Sequence, residues 1–135
     1  MKLTRFILLG AWLLAVQGAF AWGQKGHDIT AYIAECHLTS AAAKKIDRIL
    51  GGYSPVYYAN WLDNASHTPA YAHTKTWHYL NVDEGETFES MPANPAGDVL
   101  KAVEQLVEEL RSKRLTAEEE QIRLRMLIHL VGDMH

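Results

Sequence analysis

The residues Val99, Leu100, Val103, Leu106, Val107 and Leu110 fall three and four apart, so in a helix they share one face. An apolar stripe of that width must be covered by another packed element. The same spacing joins Ile29, Tyr32, Ile33 and Cys36, and predicts a first helix over 26–36. Thr39 or Ser40 can cap a second helix carrying Ile46, Ile49 and Leu50, which Gly51-Gly52 ends. Ser54-Pro55 reads as an N-cap with a first-turn proline for a third helix running through Trp61 and Leu62. The β-forming run Trp77–Val82 is expected to be extended, and the acidic stretch 83–93 to be a loop. Asn94-Pro95 opens the fourth helix, which carries the stripe. Thr116-Ala117-Glu118-Glu119 is a capping box for a fifth, through Ile122, Met126, His129 and Val131. The expected fold class is therefore mostly α, a multi-helix domain.

Residues 1–21 are expected to stand apart. Lys2 and Arg5 precede the apolar run from Phe6 to Val16, and Ala19-Phe20-Ala21 is a small-x-small cleavage site. A membrane-spanning helix needs about 20 apolar residues, and this run is shorter. The reading is a signal peptide, with export to the periplasm or the extracellular space and a mature chain over 22–135. Losing Lys2 and Arg5 takes the net charge from −3 to −5. That balance argues against a nonspecific duplex binder, although bound cations can supply a local positive field. Cys36 is the sole cysteine, so no internal disulfide forms here. At an apolar helical position it is expected to be buried and inert.

Several residues could carry chemistry. His129 and Asp133 are four apart, on one helix face, among Leu127, Ile128, Leu130 and Val131. An aspartate buried alone there would be strongly disfavoured. A divalent cation would relieve this, and so would a simple His–Asp hydrogen bond. Gly132 between them weakens the helix, which close approach of another segment would explain. A chain beginning at Trp22 has a free α-amine, and amine and carbonyl oxygen together can chelate a metal, with His27 following. Gly23 and Gly26 would let the backbone fold back there. Otherwise this is an ordinary helix start. Asp63 and His78, taken singly, read equally well as a surface carboxylate and a packed histidine.

Taken in order, Trp22-Gly23-x-x-Gly26-His27, Trp61-x-Asp63, Trp77-His78-Tyr79 and His129-x-x-x-Asp133 resemble the S-one/P-one nuclease family, related in fold to zinc-dependent phospholipase C. The resemblance covers the mature chain as the N-terminal part of a single zinc nuclease domain. It implies three zinc ions in the complete domain. One is bound by the Trp22 amine and carbonyl, His27 and a bridging Asp133. A second is bound by Asp63, His78, His129 and the same Asp133, and a hydroxide between the two attacks phosphorus. The third would use residues downstream of His135, and the chain, whose last helix is still running there, reads as a fragment.

The resemblance implies hydrolysis of single-stranded DNA or RNA to 5′-phosphorylated products, with 3′-nucleotidase activity. Tyr79 matches a position that stacks on a base, and Asn81 falls where fungal relatives use Asp to read its edge. One departure is Ser66, where relatives often carry Arg or Lys facing the phosphate; Lys75 is the candidate substitute. His37, His67, His73 and His135 match no ligand, His135 being a candidate supporting group. Asn64-Ala65-Ser66 is a glycosylation sequon expected to stay unused. The competing readings are a phospholipase C and a catalytically inert zinc-binding fragment.

Overall fold

The computed structural model describes residues 23–135, so Trp22 and the leader 1–21 lie outside it. The described residues form six α-helices and one 3-10 helix, with no strand among them. The helices are α1 Gln24–Cys36, α2 Ser40–Leu50, α3 Pro55–Tyr58, α4 Trp61–Ala65, α5 Val99–Ser112 and α6 Ala117–Met134; the 3-10 helix is Ala72–His78. None of the helices among the described residues is long and apolar enough to cross a membrane.

The caps follow the sequence closely. Thr39 accepts from Ala42 N at 3.2 Å, and Ser54 accepts from Val56 N at 3.1 Å. Thr116 and Glu119 form the reciprocal capping box. Gly51, at φ 72°, closes α2 in the left-handed conformation that glycine adopts without steric cost.

Helix α6 packs against all five other α-helices and the 3-10 helix. Its inward side chains Met126 and Leu130 join Leu62 of α4 with Val99, Ala102 and Leu106 of α5 in one core. Of the predicted α5 stripe, Val99 and Leu106 are buried in that core and Leu100 and Val103 pack against it.

Four local expectations change. The predicted third helix breaks into α3 and α4. Asn60 leaves the helical path because its amide donates to Asp28 Oδ1 at 2.7 Å and to the Gln24 carbonyl at 3.3 Å. Helix α5 begins at Val99, not at Asn94-Pro95. Asp98 is the cap, accepting from Lys101 N, while Asn94 Oδ1 accepts from Ala96 N and makes a turn. Trp77 and His78 close the 3-10 helix instead of lying extended, held by bonds from Thr76 Oγ1 and Trp77 Nε1 to the Ala96 carbonyl. Cys36 is exposed, not buried. Helix α1 turns His27 and Ala31 inward, so Ile29, Tyr32, Ile33 and Cys36 face away from the described core.

Candidate metal centre

Five side chains from four elements converge at one end of α6. His27 comes from the first turns of α1, Asp63 from α4, His78 from the end of the 3-10 helix, and His129 and Asp133 from α6. His129 Nε2 lies 3.1 Å from His78 Nδ1, 3.2 Å from Asp133 Oδ2 and 3.5 Å from Asp63 Oδ1. His78 Nδ1 lies 3.0 Å from Asp133 Oδ2 and 3.7 Å from Asp63 Oδ1. His27 Nε2 lies 3.3 Å from the other oxygen of Asp133, Oδ1. The carboxylate thus turns one oxygen to His27 and the other to His78 and His129.

The tautomer of His129 follows from its neighbours. Its ring is wholly buried, and Nδ1 lies 2.7 Å from the Ala59 carbonyl, which only an N–H can satisfy. A neutral His129 therefore presents a lone pair at Nε2 to the cluster. The break between α3 and α4 frees that carbonyl. The ring nitrogens on the far side of two of these imidazoles, His78 Nε2 and His27 Nδ1, are buried without a hydrogen-bond partner, His27 Nδ1 lying against Gly132. His27 Nε2, His78 Nδ1, His129 Nε2 and the two carboxylates face one another, and a cation among them satisfies several acceptors at once. Two groupings have ligand atoms within 4.8 Å of one another, His27 with Asp63 and His129, and His78 with His129 and Asp133. Imidazole and carboxylate in such number suit zinc.

Gly132 has a specific reason to be glycine. The His27 ring lies against it, stacked on His129 with centroids 4.3 Å apart. A Cβ on Gly132 would overlap His27 Nδ1 and sit 3.2 Å from Cε1. Gly132→Ala gains about 1 kcal/mol of helix propensity, but overpacking costs about 1–3 kcal/mol and displaces His27. Zinc affinity should fall roughly 10–100-fold, the usual effect of disturbing a ligand's support. Competition with a chromophoric chelator measures this, and wild-type affinity in the variant would refute the packing argument.

The same groups give a pH signature. Burial acts to raise the Asp133 carboxyl, but His129, His27 and His78, which become donors to it when protonated, outweigh burial and hold it far below the ordinary range. Its hydrogen bond to Asp133 raises the His27 imidazole, against burial. A depressed carboxyl stabilises the fold above its unfolded value of about 3.9 and loses that contribution as pH falls through the folded value. A raised imidazole stabilises fully below about 6.5 and loses the contribution as pH rises through its folded value. The metal-free chain should therefore melt highest between about pH 4 and 6.5. Zinc requires the deprotonated groups, so its added stabilisation should grow from pH 5 to 8. Thermal melts with zinc and with chelator test both limbs; a zinc increment independent of pH would contradict the assignment.

The other expectations divide. Trp22 lies outside the described residues. Gly23 and Gly26 take no positive φ, so neither is used for the tight backbone reversal expected of them. Tyr79, directly after His78, and Asn81 are both exposed. Ser66 is buried, and its hydroxyl donates to the Asp63 carbonyl at 3.0 Å, pinning the turn that carries Asp63. Lys75 is exposed. Sequence reasoning missed Ala59, whose role lies in its backbone and leaves no residue-type signal. It also missed Arg125, whose guanidinium lies 4.1 Å over the Tyr58 ring and donates to its hydroxyl at 3.1 Å. A cation one turn before His129 was the available cue.

Known proteins resemble this chain along its length. The S1/P1 nuclease family model matches residues 22–135. Nuclease S1 of Aspergillus oryzae (strain ATCC 42149 / RIB 40) is 27% identical over 148 residues, spanning 98% of this chain and 49% of the relative. Nuclease P1 of Penicillium citrinum is 26% identical over 121 residues, spanning 84% of this chain and 45% of the relative. The chain thus spans about half the length of the curated relatives it matches. With helices in place of strands throughout the described residues and a match over all of them, the chain belongs to the S1/P1 nuclease family.

Proposed function

We propose that this chain is the N-terminal part of an exported, zinc-dependent endonuclease domain that hydrolyses single-stranded DNA or RNA to 5′-phosphorylated products, with 3′-nucleotidase activity. The observation that carries the reading is the convergence of His27, Asp63, His78, His129 and Asp133 at one end of α6. Bound zinc supplies Lewis acidity toward a phosphate and lowers the pKa of water. The chain's own residues do the rest. His129, Asp63 and His78 would hold one ion, and His27 with the Trp22 amine another. Asp133, with an oxygen toward each group, would hold the two together. Tyr79 would stack on a base beside the centre, a sequence-tolerant contact, and Asn81 would meet its edge.

The net negative charge of the chain fits a substrate engaged through metal and stacking and not through a basic surface. The test is product analysis with zinc-loaded protein, using single-stranded DNA, RNA and lecithin as substrates. Release of 5′-phosphorylated nucleotides from the nucleic acids supports the proposal. Release of phosphocholine alone would replace it with the phospholipase reading. Tight zinc binding without turnover of any of the three would identify an inert zinc-binding fragment.

A further inference from the structure

A cavity of about 530 Å³ opens beside the metal centre. Its size is that of small-molecule sites. Its lining residues, Tyr53 apart, each lie within four residues in sequence of His27, Ala59, Asp63 or His129. Asp28 follows His27, Asn60 follows Ala59, Trp61 and Asn64 flank Asp63, and Arg125 lies one turn before His129. None of the residues already assigned to the centre lines it.

Its chemistry has three parts. The rim is aromatic: Tyr53 and Tyr57 stack with centroids 4.6 Å apart, yet remain 51% and 67% exposed. Tyrosines so placed bury little of their own surface and leave a ring face open to a planar ligand. The floor carries the Arg125 guanidinium. It donates to Gln121 Oε1 at 2.6 Å and to the Tyr58 hydroxyl, and among the described residues no carboxylate lies within ion-pair distance of it. Asp28 lines the same cavity, but its carboxylate accepts from Asn60. The wall carries amides from Gln24, Asn60 and Asn64, and Asn60 Oδ1 has no partner. Amides pair with base edges, an unpaired guanidinium suits a phosphate, and an open tyrosine face suits any base.

We propose that this cavity is a nucleotide subsite, taking one base and its phosphate from a single strand at a position removed from the bond that is cut. The base stacks on Tyr57, its edge meets the amides, and the phosphate pairs with Arg125. Duplex DNA is excluded, because its bases are already stacked and their edges paired. This inference rests on the single-strand nuclease reading and names a further contact for that substrate.

Photocrosslinking of 5-iodo-2′-deoxyuridine 5′-monophosphate to the full chain, with peptide mapping of the adduct, tests it. Adducts are expected on Tyr53 or Tyr57. Tyr57→Ala, at an exposed position, should keep the helical circular dichroism and weaken binding at least about fivefold, the lower bound for loss of one base stack. Tyr32→Ala, an equally exposed tyrosine on α1, should bind as wild type. Arg125→Gln should weaken the monophosphate while leaving the uncharged 5-iodo-2′-deoxyuridine unchanged. Adducts confined to Tyr79, or equal affinity in wild type and Tyr57→Ala, would overturn the subsite. The two readings fail separately. Adducts at Tyr57 without any hydrolysis would remove the nuclease assignment, and hydrolysis without those adducts would remove the subsite.

Discussion

Asp133→Asn is expected to strip the protein of nearly all bound zinc, whereas Asp63→Asn should cost about one equivalent. The difference follows from position. Asp133 faces His27 with one oxygen at 3.3 Å, and His78 and His129 with the other at 3.0 and 3.2 Å. An amide there removes the negative charge from both groups and turns an N–H donor toward at least one of them. Two cations held by these groups would then lose the anion between them, and their repulsion would no longer be offset. Asp63 is 55% exposed at the side chain, lies 3.7 and 3.5 Å from His78 and His129, and comes only within 4.8 Å of His27. Water can take its place in the coordination of one ion. Metal counting by atomic emission on the purified variants measures the effect. Equal zinc loss in the two would argue against Asp133 as a bridge.

The metal-free chain adds a second expectation for the same variant. Without zinc, Asp133 is the counter-ion of the His27 imidazole, which its hydrogen bond raises. Asp133→Asn should therefore flatten the alkaline limb of the metal-free melting profile, because His27 no longer gains stability from being protonated in the fold. A profile identical to wild type would separate His27 from Asp133 energetically, whatever the zinc count.

The sequence revealed the helices better than it revealed what covers them. Periodicity tells which residues share a face, and the α5 stripe was correctly read as core because α6 follows at once and packs on it. The same reasoning applied to Ile29, Tyr32, Ile33 and Cys36 found a helix, but put Cys36 inside. Nothing within a helix's own pattern says which neighbour meets it. The His129–Asp133 pair was legible because spacing of four and apolar flanks are local properties. Asp63 and His78 were not. Their meeting with His129 depends on a reversal through the 3-10 helix, and on bonds from Thr76 and Trp77 to Ala96, across some twenty residues of chain. Residue type predicted extension for Trp77-His78, and those distant contacts overrode it. Only the resemblance brought Asp63 and His78 into the site. Gly132 was intermediate. Its cost to the helix was visible, while its partner, the His27 ring, came from the opposite end of the chain.

In the complete protein, adding a single alanine before Trp22 should remove about one zinc equivalent and most of the proposed nuclease activity. Trp22 itself lies outside the described residues. It precedes Gly23, whose carbonyl accepts from Gly26 N at 2.7 Å to start α1, the helix that delivers His27 to the cluster. His27 brings only one imidazole to its side of Asp133, and Asp63 is shared with His129 and His78. An ion held there needs further donors, and a free α-amine with its neighbouring carbonyl oxygen supplies two in one chelate ring. In a longer chain that nitrogen is an amide, its lone pair delocalised into the carbonyl, and it binds zinc very poorly at neutral pH. Removal of residues 1–21 would then complete the metal centre only after export, and stray cleavage of RNA before export would be prevented. Two preparations decide the matter, one beginning at Trp22 and one with alanine before it. Both should show the same helical circular dichroism. The extended form should hold less zinc by atomic emission, and the ion it keeps should be the one bound by Asp63, His78 and His129, so that His78→Ala in the extended background removes most of what remains. If both preparations hold equal zinc and cleave single-stranded DNA equally fast, the α-amine is not a ligand, and the ion beside His27 must find its donors elsewhere.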